Sequence, residues 1–494
     1  MTSTDPDDPL FDLCVIGAGI AGLNALFVAQ SYLPKGARVA LVDRKPAPGG
    51  MWTEAYDFVR LHQPHPMFTA GDIAWDWDKP RGHLANRSEV VAHFAHCLAV
   101  LAQHFDLTPC FGHEMTQIQE RSQGPVSILI AALEGGGSQV LRAKRVIHAP
   151  GYDVAAPAPL PLSAGVVRTL SPKDLDAAAL ADTAPAYVVG GGKTGMDTAL
   201  ALMDANPARE VSVLTGSGTL FGNRDRFMPT GLGRWLSGKL LVNVRRDVCL
   251  RFDGTNEGQV FDYFARTYGH APTSAPARHL FGLMSEAECE AVRTRTHALI
   301  EDYLDDVIDT DQGPQMVLRT GAHRPVAPGS VFLNCTGHLL RQVPEAPPIL
   351  SPAGKVLTLS QSATVSFLSS ASAYFLTHLY FLGTLGQSRV SVLNLPLLTQ
   401  SAGPQLTQMA IMTQTLLNAL HLVNELPFEA IKRCGLDLDR WFPFPRRALG
   451  FVRLKRQAPA LIAHCEGSLA AVAARYAGTC APLNTLVVSD KTAV

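Results

Sequence analysis

The sequence predicts an α/β fold with two Rossmann-like dinucleotide-binding domains, the second inserted in the first, on three observations. A strand, a glycine loop, a helix and a second strand follow one another from Phe11 to Asp43. The same succession recurs from Ala186 to Leu214. The chain is 494 residues long, enough for two or three domains with ample cores.

Taken in order, Phe11–Ile16 is a short apolar run with β-branched members, and Gly17-Ala-Gly-Ile-Ala-Gly22 follows it directly. Helix formers continue from Leu23 to Leu33, and Arg38–Val42 is a second β-rich run ending at Asp43. Arg87–Phe105 is predicted as an amphipathic helix, with Val90, Val91, Phe94, Cys97, Leu98 and Leu101 on one side. A hairpin is expected from Val126–Leu133 and Val140–Ala149, turned through Gly135-Gly-Gly137. The proline-rich stretch from Pro150 to Pro161 reads as an inter-domain linker. Ala186–Val189, the loop Gly190-Gly-Gly-Lys-Thr-Gly195, a helix to about Asp204 and a strand Val211–Leu214 make the second unit. Ser285 and Glu288 have capping-box spacing, and a helix is predicted from there to about Ile308. From Val356 to Asn424 the one charged residue is Arg389, so this segment is expected to be largely buried, to line an apolar cavity or to touch lipid. Its many Ser and Thr residues argue against a spanning helix. The expected division is 1–160 and 336–425 for the first domain and substrate pocket, 161–335 for the second domain, and 426–494 for a C-terminal helical extension.

Bulk properties exclude several classes. A formal charge of -1 gives no basic footprint for nucleic acid. The nine cysteines include no Cys-x-x-Cys, which points to a reducing, cytoplasmic setting without a disulfide framework or cysteine-based zinc site. Residues 1–9 lack a signal-peptide pattern and are expected to form a short disordered tail. His62 with His65, and His93 with His96, have i, i+3 spacing but no carboxylate or cysteine partner, so no metal site is expected. The basic region of Arg446, Arg447, Arg453, Lys455 and Arg456 is read as a solvated face, with weak membrane-surface contact the minor reading.

The first glycine motif has a defined physical task. Gly17 permits the tight turn, Gly19 lets backbone approach a pyrophosphate, and Gly22 lets helix pack close to strand. Asp43, at the end of the second strand, is placed to accept hydrogen bonds from ribose hydroxyls. In the second motif Gly190, Gly192 and Gly195 take the same roles, with Thr194 between the last two at the helix start. A Walker loop is excluded because Tyr187 stands where its first glycine is required. No acid follows the next strand; Thr215-Gly-Ser-Gly218 occupies that place, which favours a 2′-phosphate held by Ser217, Arg224 or Arg226 and hence NADPH over NADH.

Here the sequence resembles a known family. Val42-Asp-Arg-Lys-Pro-Ala-Pro-Gly-Gly-Met-Trp52 is similar to the acid and GG-x-W segment of flavin-containing monooxygenases. His148-Ala-Pro-Gly151 and Asn334-Cys-Thr-Gly-His338 resemble the two ATG-type motifs, and Val189-Gly-Gly-Gly-Lys-Thr-Gly-Met-Asp197 the NADPH motif of that group. The likeness runs through about the first 340 residues in order. It implies FAD at the first loop and NADPH at the second, with reduced flavin and molecular oxygen giving a C4a-hydroperoxide. The aromatic run Tyr374-Phe375, Tyr380-Phe381, more often core than pocket, points by its setting to a small, largely apolar substrate. The implied cofactor set is Gly17, Gly19, Gly22, Asp43, Gly50, Met51, Trp52, Met115, Gly151, Gly190, Gly192, Thr194, Gly195, Ser217, Arg224, Thr336 and Gly337.

Two departures bear on the reaction. The family fingerprint Phe-x-Gly followed by His is replaced by Gly165-Val-Val-Arg-Thr-Leu-Ser-Pro172. His62 stands where Baeyer–Villiger enzymes carry an Asp and N-oxygenating relatives an Asn, which weakens ketone oxygenation as the specific reaction. His62 and Gln63 are therefore the catalytic candidates facing the flavin, His62 as a donor or proton relay near neutral pH, with a merely packed histidine the alternative. Arg389 is the third candidate, because a lone cation in a neutral stretch needs an anionic partner, whether a structural carboxylate or a cofactor. A flavin dehydrogenase or reductase without oxygen insertion stays open, as does the lesser alternative of a nucleotide-binding redox sensor.

Overall fold

The computed structural model describes residues 9–152, 157–337, 348–366 and 368–487. The expected tail at 1–8, the middle of the linker at 153–156 and His338 lie outside the described residues.

Two five-stranded parallel sheets organise the first three quarters of the chain. In the first, the order across the sheet is Val356–Thr358, Val146–His148, Leu13–Ile16, Arg38–Asp43 and Asp106–Phe111. In the second it is Ala298–Ile300, Val211–Leu214, Ala186–Val189, Val331–Asn334 and Arg168–Leu170. Leu13, Cys14 and Val15, and Val211 and Val213, are fully buried, as strands covered on both faces require. The strand Val356–Thr358 follows the whole second sheet in sequence yet completes the first, so the second unit is inserted in the first.

The helix after each glycine loop lies where the sequence puts it, at Ile20–Ala29 and Lys193–Ala205. Arg87–Ala102 begins at an Asn86–Glu89 capping box, which satisfies two free N–H groups at its start.

Two expectations are corrected. The hairpin's second strand ends at Ala143 rather than Ala149, and Val146–His148 instead joins the parallel sheet. The helix begun at the Ser285–Glu288 capping box stops at Arg295. Beyond it Thr296 is extended, and the strands Ala298–Ile300 and Leu304–Thr310 follow. Leu304–Thr310 pairs antiparallel with Gly313–Leu318, and this pairing overrides the helical i, i+3, i+4 spacing of Leu304, Val307 and Ile308.

The charge-poor segment is buried, as expected. It forms Ser369–Leu382, packed on Ile20–Ala29, and Leu395–Glu425, which kinks at Gly403 (φ 78°) before Pro404. Leu395–Glu425 is surrounded by Leu241–Cys249, Glu257–Tyr268 and the C-terminal helix Phe444–Arg475. Among the described residues no helix is long and apolar enough to cross a membrane.

Candidate functional site

The two glycine loops have one geometry. Gly17 and Gly190 both take positive φ (108° and 129°), which side chains resist. A Cβ on Gly22 would overlap the carbonyl oxygen of Gly17, and one on Gly195 would overlap that of Gly190. The neighbouring strand ends match too. Ala149 N donates to Ile16 O (2.7 Å), and Cys335 N donates to Val189 O (2.8 Å). Each loop therefore lies across the end of the strand that returns the chain to its sheet.

Gly19 and Gly192 are the N-caps of their helices, both extended and both without a side-chain cap. The first-turn N–H groups are thus left for an outside acceptor, and a Cβ on Gly192 would meet nothing within 4 Å. Bare helix N-termini behind an open glycine fit a pyrophosphate, whose charge the partial positive end favours.

Around the first loop, Asp43 is buried and its carboxylate accepts from Ala18 N (2.5 Å) and Lys45 N (2.8 Å), bracing the loop against the second strand. Gly50 (φ 53°) faces Gly19, with only 3.3 Å between a Cβ on Gly19 and the Gly50 Cα. Met51, in the same short 3-10 turn, is exposed, and Trp52 packs on Phe68 at 5.7 Å. Gly151 (φ 67°) shares a crevice with Ala21, Gln361 and Thr364. Met115 lies on the antiparallel strand His113–Gln119, half-buried against the apolar cluster of Val126 and Ile128, and has no partner in the loop.

Around the second loop, Thr215 takes the place of the missing acid and donates to Ile300 O (3.2 Å). Tyr303 Oη donates to Ser217 Oγ (3.0 Å). The guanidinium groups of Arg319 and Arg278 lie 4.3 and 6.0 Å from the Tyr303 ring centre. The hydrogen bond with Ser217, with help from the two arginines, lowers the Tyr303 hydroxyl below its usual range. Sequence reasoning missed these three residues because they arrive from later strands; their spacing carried no signal. Thr336 donates to Asn334 Oδ1 (2.6 Å) beside the exposed Gly337, and Thr194 O accepts from Thr198.

Arg224 and Arg226 have other partners. Arg224 bonds Glu288 (2.6 Å), leaving its Nη1 buried without a partner, and Arg226 donates to Thr267 O (2.6 Å).

A polar cluster joins the two units. Lys193 pairs with Asp197 one turn on, and Tyr56 donates to Asp197 (3.2 Å). Burial holds the Asp197 carboxyl above its ordinary range, although Lys193 opposes the shift. The i, i+4 spacing of Lys193 and Asp197 was a readable signal that the sequence reading passed over. His62 is half-buried and faces Lys193 and Arg224 electrostatically. Burial, then these two cations, push its pKa down to about 3. The imidazole is therefore neutral near pH 7, able to donate one hydrogen bond but not to titrate there. Gln63 is half-buried next to it.

Arg389 is not brought to either loop. It is exposed, its N–H donates to Glu425 (2.9 Å) and its guanidinium pairs with Glu466 (3.3 Å). All nine cysteines are free, and eight are buried. No group of His, Cys, Asp and Glu among the described residues could hold a metal ion.

With fold and loops in place, residues 11–242 match the pyridine nucleotide-disulphide oxidoreductase family. The match covers just under half of the chain, and over it the two parallel sheets with their glycine loops give the Rossmann-like dinucleotide-binding fold. It is 27% identical over 359 residues to the uncharacterized protein Rv2000 of Mycobacterium tuberculosis, covering 68% of this chain and 62% of that one. The uncharacterized protein Mb2023 of Mycobacterium bovis matches with the same figures. The chain thus spans less than two thirds of the length of the curated relatives it matches. Among solved structures, a flavin-containing monooxygenase from Stenotrophomonas maltophilia is 16% identical, with a TM-score of 0.44 over 76% of this chain and 97% of that one. Ornithine hydroxylase from Pseudomonas aeruginosa is 12% identical, with a TM-score of 0.49 over 76% and 99%. A bacillithiol disulfide reductase from Bacillus cereus is 12% identical, with a TM-score of 0.45 over 76% and 100%.

Proposed function

We propose that the chain is a FAD-dependent, NADPH-using monooxygenase of a small, largely apolar molecule. The observation that carries this reading is the pair of uncapped glycine loops bridged by one polar cluster, in which Tyr56 of the first unit donates to Asp197 of the second (3.2 Å). FAD held at the first loop would supply the redox chemistry with oxygen, and NADPH at the second would supply the hydride.

In this reading Gly17, Gly19, Gly22, Asp43, Gly50, Met51, Trp52, Met115, Gly151, Thr336 and Gly337 serve FAD. Gly190, Gly192, Thr194, Gly195 and Ser217 serve NADPH, and Tyr303, Arg278 and Arg319 join Ser217 in favouring its 2′-phosphate. His62, as a neutral donor, and Gln63 would orient groups at the reaction centre. Segments 1–160 and 336–425 would form the FAD domain and substrate pocket, 161–335 the NADPH domain. Free, mostly buried cysteines suit a cytoplasmic location.

The family's name includes disulphide chemistry, which needs an accessible low-pKa thiol. Here burial raises the thiols of Cys14, Cys97, Cys110, Cys289, Cys434 and Cys480, and of Cys335 to about 12. Oxygen insertion is tested by turnover of the flavin-loaded protein with NADPH under labelled oxygen. Label in an organic product supports the reading. Equal turnover of an artificial acceptor without oxygen, with no label incorporated, would replace it by a dehydrogenase.

A further inference from the structure

We propose that the protein docks reversibly on an anionic lipid surface through the helices Gly233–Leu236 and Phe444–Arg475. Large apolar side chains stand in solvent on both. Leu232, Trp235 and Leu236 are 75, 55 and 79% exposed, and Phe444 and Leu449 are 75 and 56% exposed. Phe451 and Val452 continue the second set. Scattered single apolar residues need no explanation, but grouped ones of this size mark an interaction surface.

The two segments lie side by side. Arg446 donates to the carbonyl oxygens of Arg234 (2.8 Å) and Gly238 (2.6 Å), and Trp441 donates to Pro229 O (2.8 Å). Gly450 packs so closely on Leu240 that a Cβ would sit 2.8 Å from its Cδ1. On the long helix Gly450, Leu454, Leu461 and Cys465 point inward, and the spacing turns Leu449, Val452 and Arg456 away from that core.

Charge selects the partner. Stretches 231–240 and 444–456 contain Arg234, Lys239, Arg446, Arg447, Arg453, Lys455 and Arg456, and no Asp or Glu. Arg453, Lys455 and Arg456 are exposed. A copy of the same face would set cation against cation, whereas acidic headgroups neutralise the charges while the apolar side chains enter the acyl boundary.

The test is cosedimentation of the flavin-loaded full chain with vesicles of phosphatidylcholine alone or mixed with phosphatidylglycerol. Binding is expected only to the mixed vesicles and should fall with salt. Removal of three charges in R453Q/K455Q/R456Q should lower partitioning roughly a hundredfold. Leu236→Ser with Phe451→Ser should also release the protein. Both variants alter exposed side chains, and circular dichroism with flavin content checks that they are folded. Absence of vesicle binding by the folded protein, or equal binding to both vesicle types, would overturn the proposal. So would a stable dimer in sedimentation velocity that L236S dissociates without any effect on vesicles.

Discussion

The carbonyl oxygen of Gly17 occupies the position that a Cβ on Gly22 would need. The loop and the first helical turn therefore touch through backbone, and the same holds for Gly190 and Gly195. Ala at either third glycine must push helix and strand apart, a cost of about 1–3 kcal/mol for an overpacked site, or more where the obstacle is main chain. Gly22→Ala is expected to yield protein with little bound flavin and a lowered Tm. Gly195→Ala should retain flavin and lose NADPH binding, read by flavin absorbance and nucleotide titration.

Arg319 over the Tyr303 ring leads to a specificity prediction. If these groups hold a 2′-phosphate, Arg319→Ala should raise the KM for NADPH about 10- to 100-fold, the worth of one charged hydrogen bond. The KM for NADH should barely change. Arg278→Ala should act in the same direction. Equal losses for both nucleotides would remove these residues from phosphate recognition.

His62 gives a pH dependence whose sign follows from its depressed pKa. The unfolded chain binds a proton near 6.5 and the folded one only near 3, so the stabilising contribution is complete above 6.5 and is lost as pH falls towards 3. His62→Gln should flatten that part of the Tm profile between pH 6 and 4, values set by about those two limits. A pKa near neutrality in the free protein, measured by NMR, would contradict the neutral-donor role.

Glu89 works in a lower window. Burial opposes its ionisation, but Lys79, His83 and the Asn86 N–H bring its pKa from 4.5 down to about 2. The stability this carboxylate contributes is present above 4.5 and lost as pH falls to about 2. Glu89→Gln is expected to cost on the order of 2–3 kcal/mol at pH 7 and almost nothing at the acid end, in urea titrations.

The cysteines predict slow thiol chemistry. In native buffer the protein should react with at most about one equivalent of a thiol reagent, Cys480 first, since raised pKa and burial suppress thiolate. Unfolding should release all nine.

Both dinucleotide folds were legible because glycine spacing and strand hydrophobicity are local. The missing second acid was legible too, and it suggested Ser217, Arg224 or Arg226 in its place, of which the two arginines have other partners. What lies beside the place of the acid was not legible, since Tyr303 and Arg319 reach Ser217 only through the folding of strands far along the chain. Arg389 shows the opposite limit. Its isolation in sequence left a structural carboxylate and a cofactor both open as its partner, and the carboxylates prove to be Glu425 and Glu466, beside it in space. The helix predicted to Ile308 failed because pairing with Gly313–Leu318 overrode the helical spacing of Leu304, Val307 and Ile308, a long-range preference that local spacing does not carry.

The strand Val356–Thr358 pairs with Val146–His148 across the entire inserted unit. On the ribosome, the N-terminal sheet must wait with one edge uncovered while the insert is synthesised and emerges. During that interval the inserted unit, complete by Asn334, can fold first although it begins second. Nascent chains stalled before residue 356 should thus expose a bare parallel edge and depend on holdase chaperones.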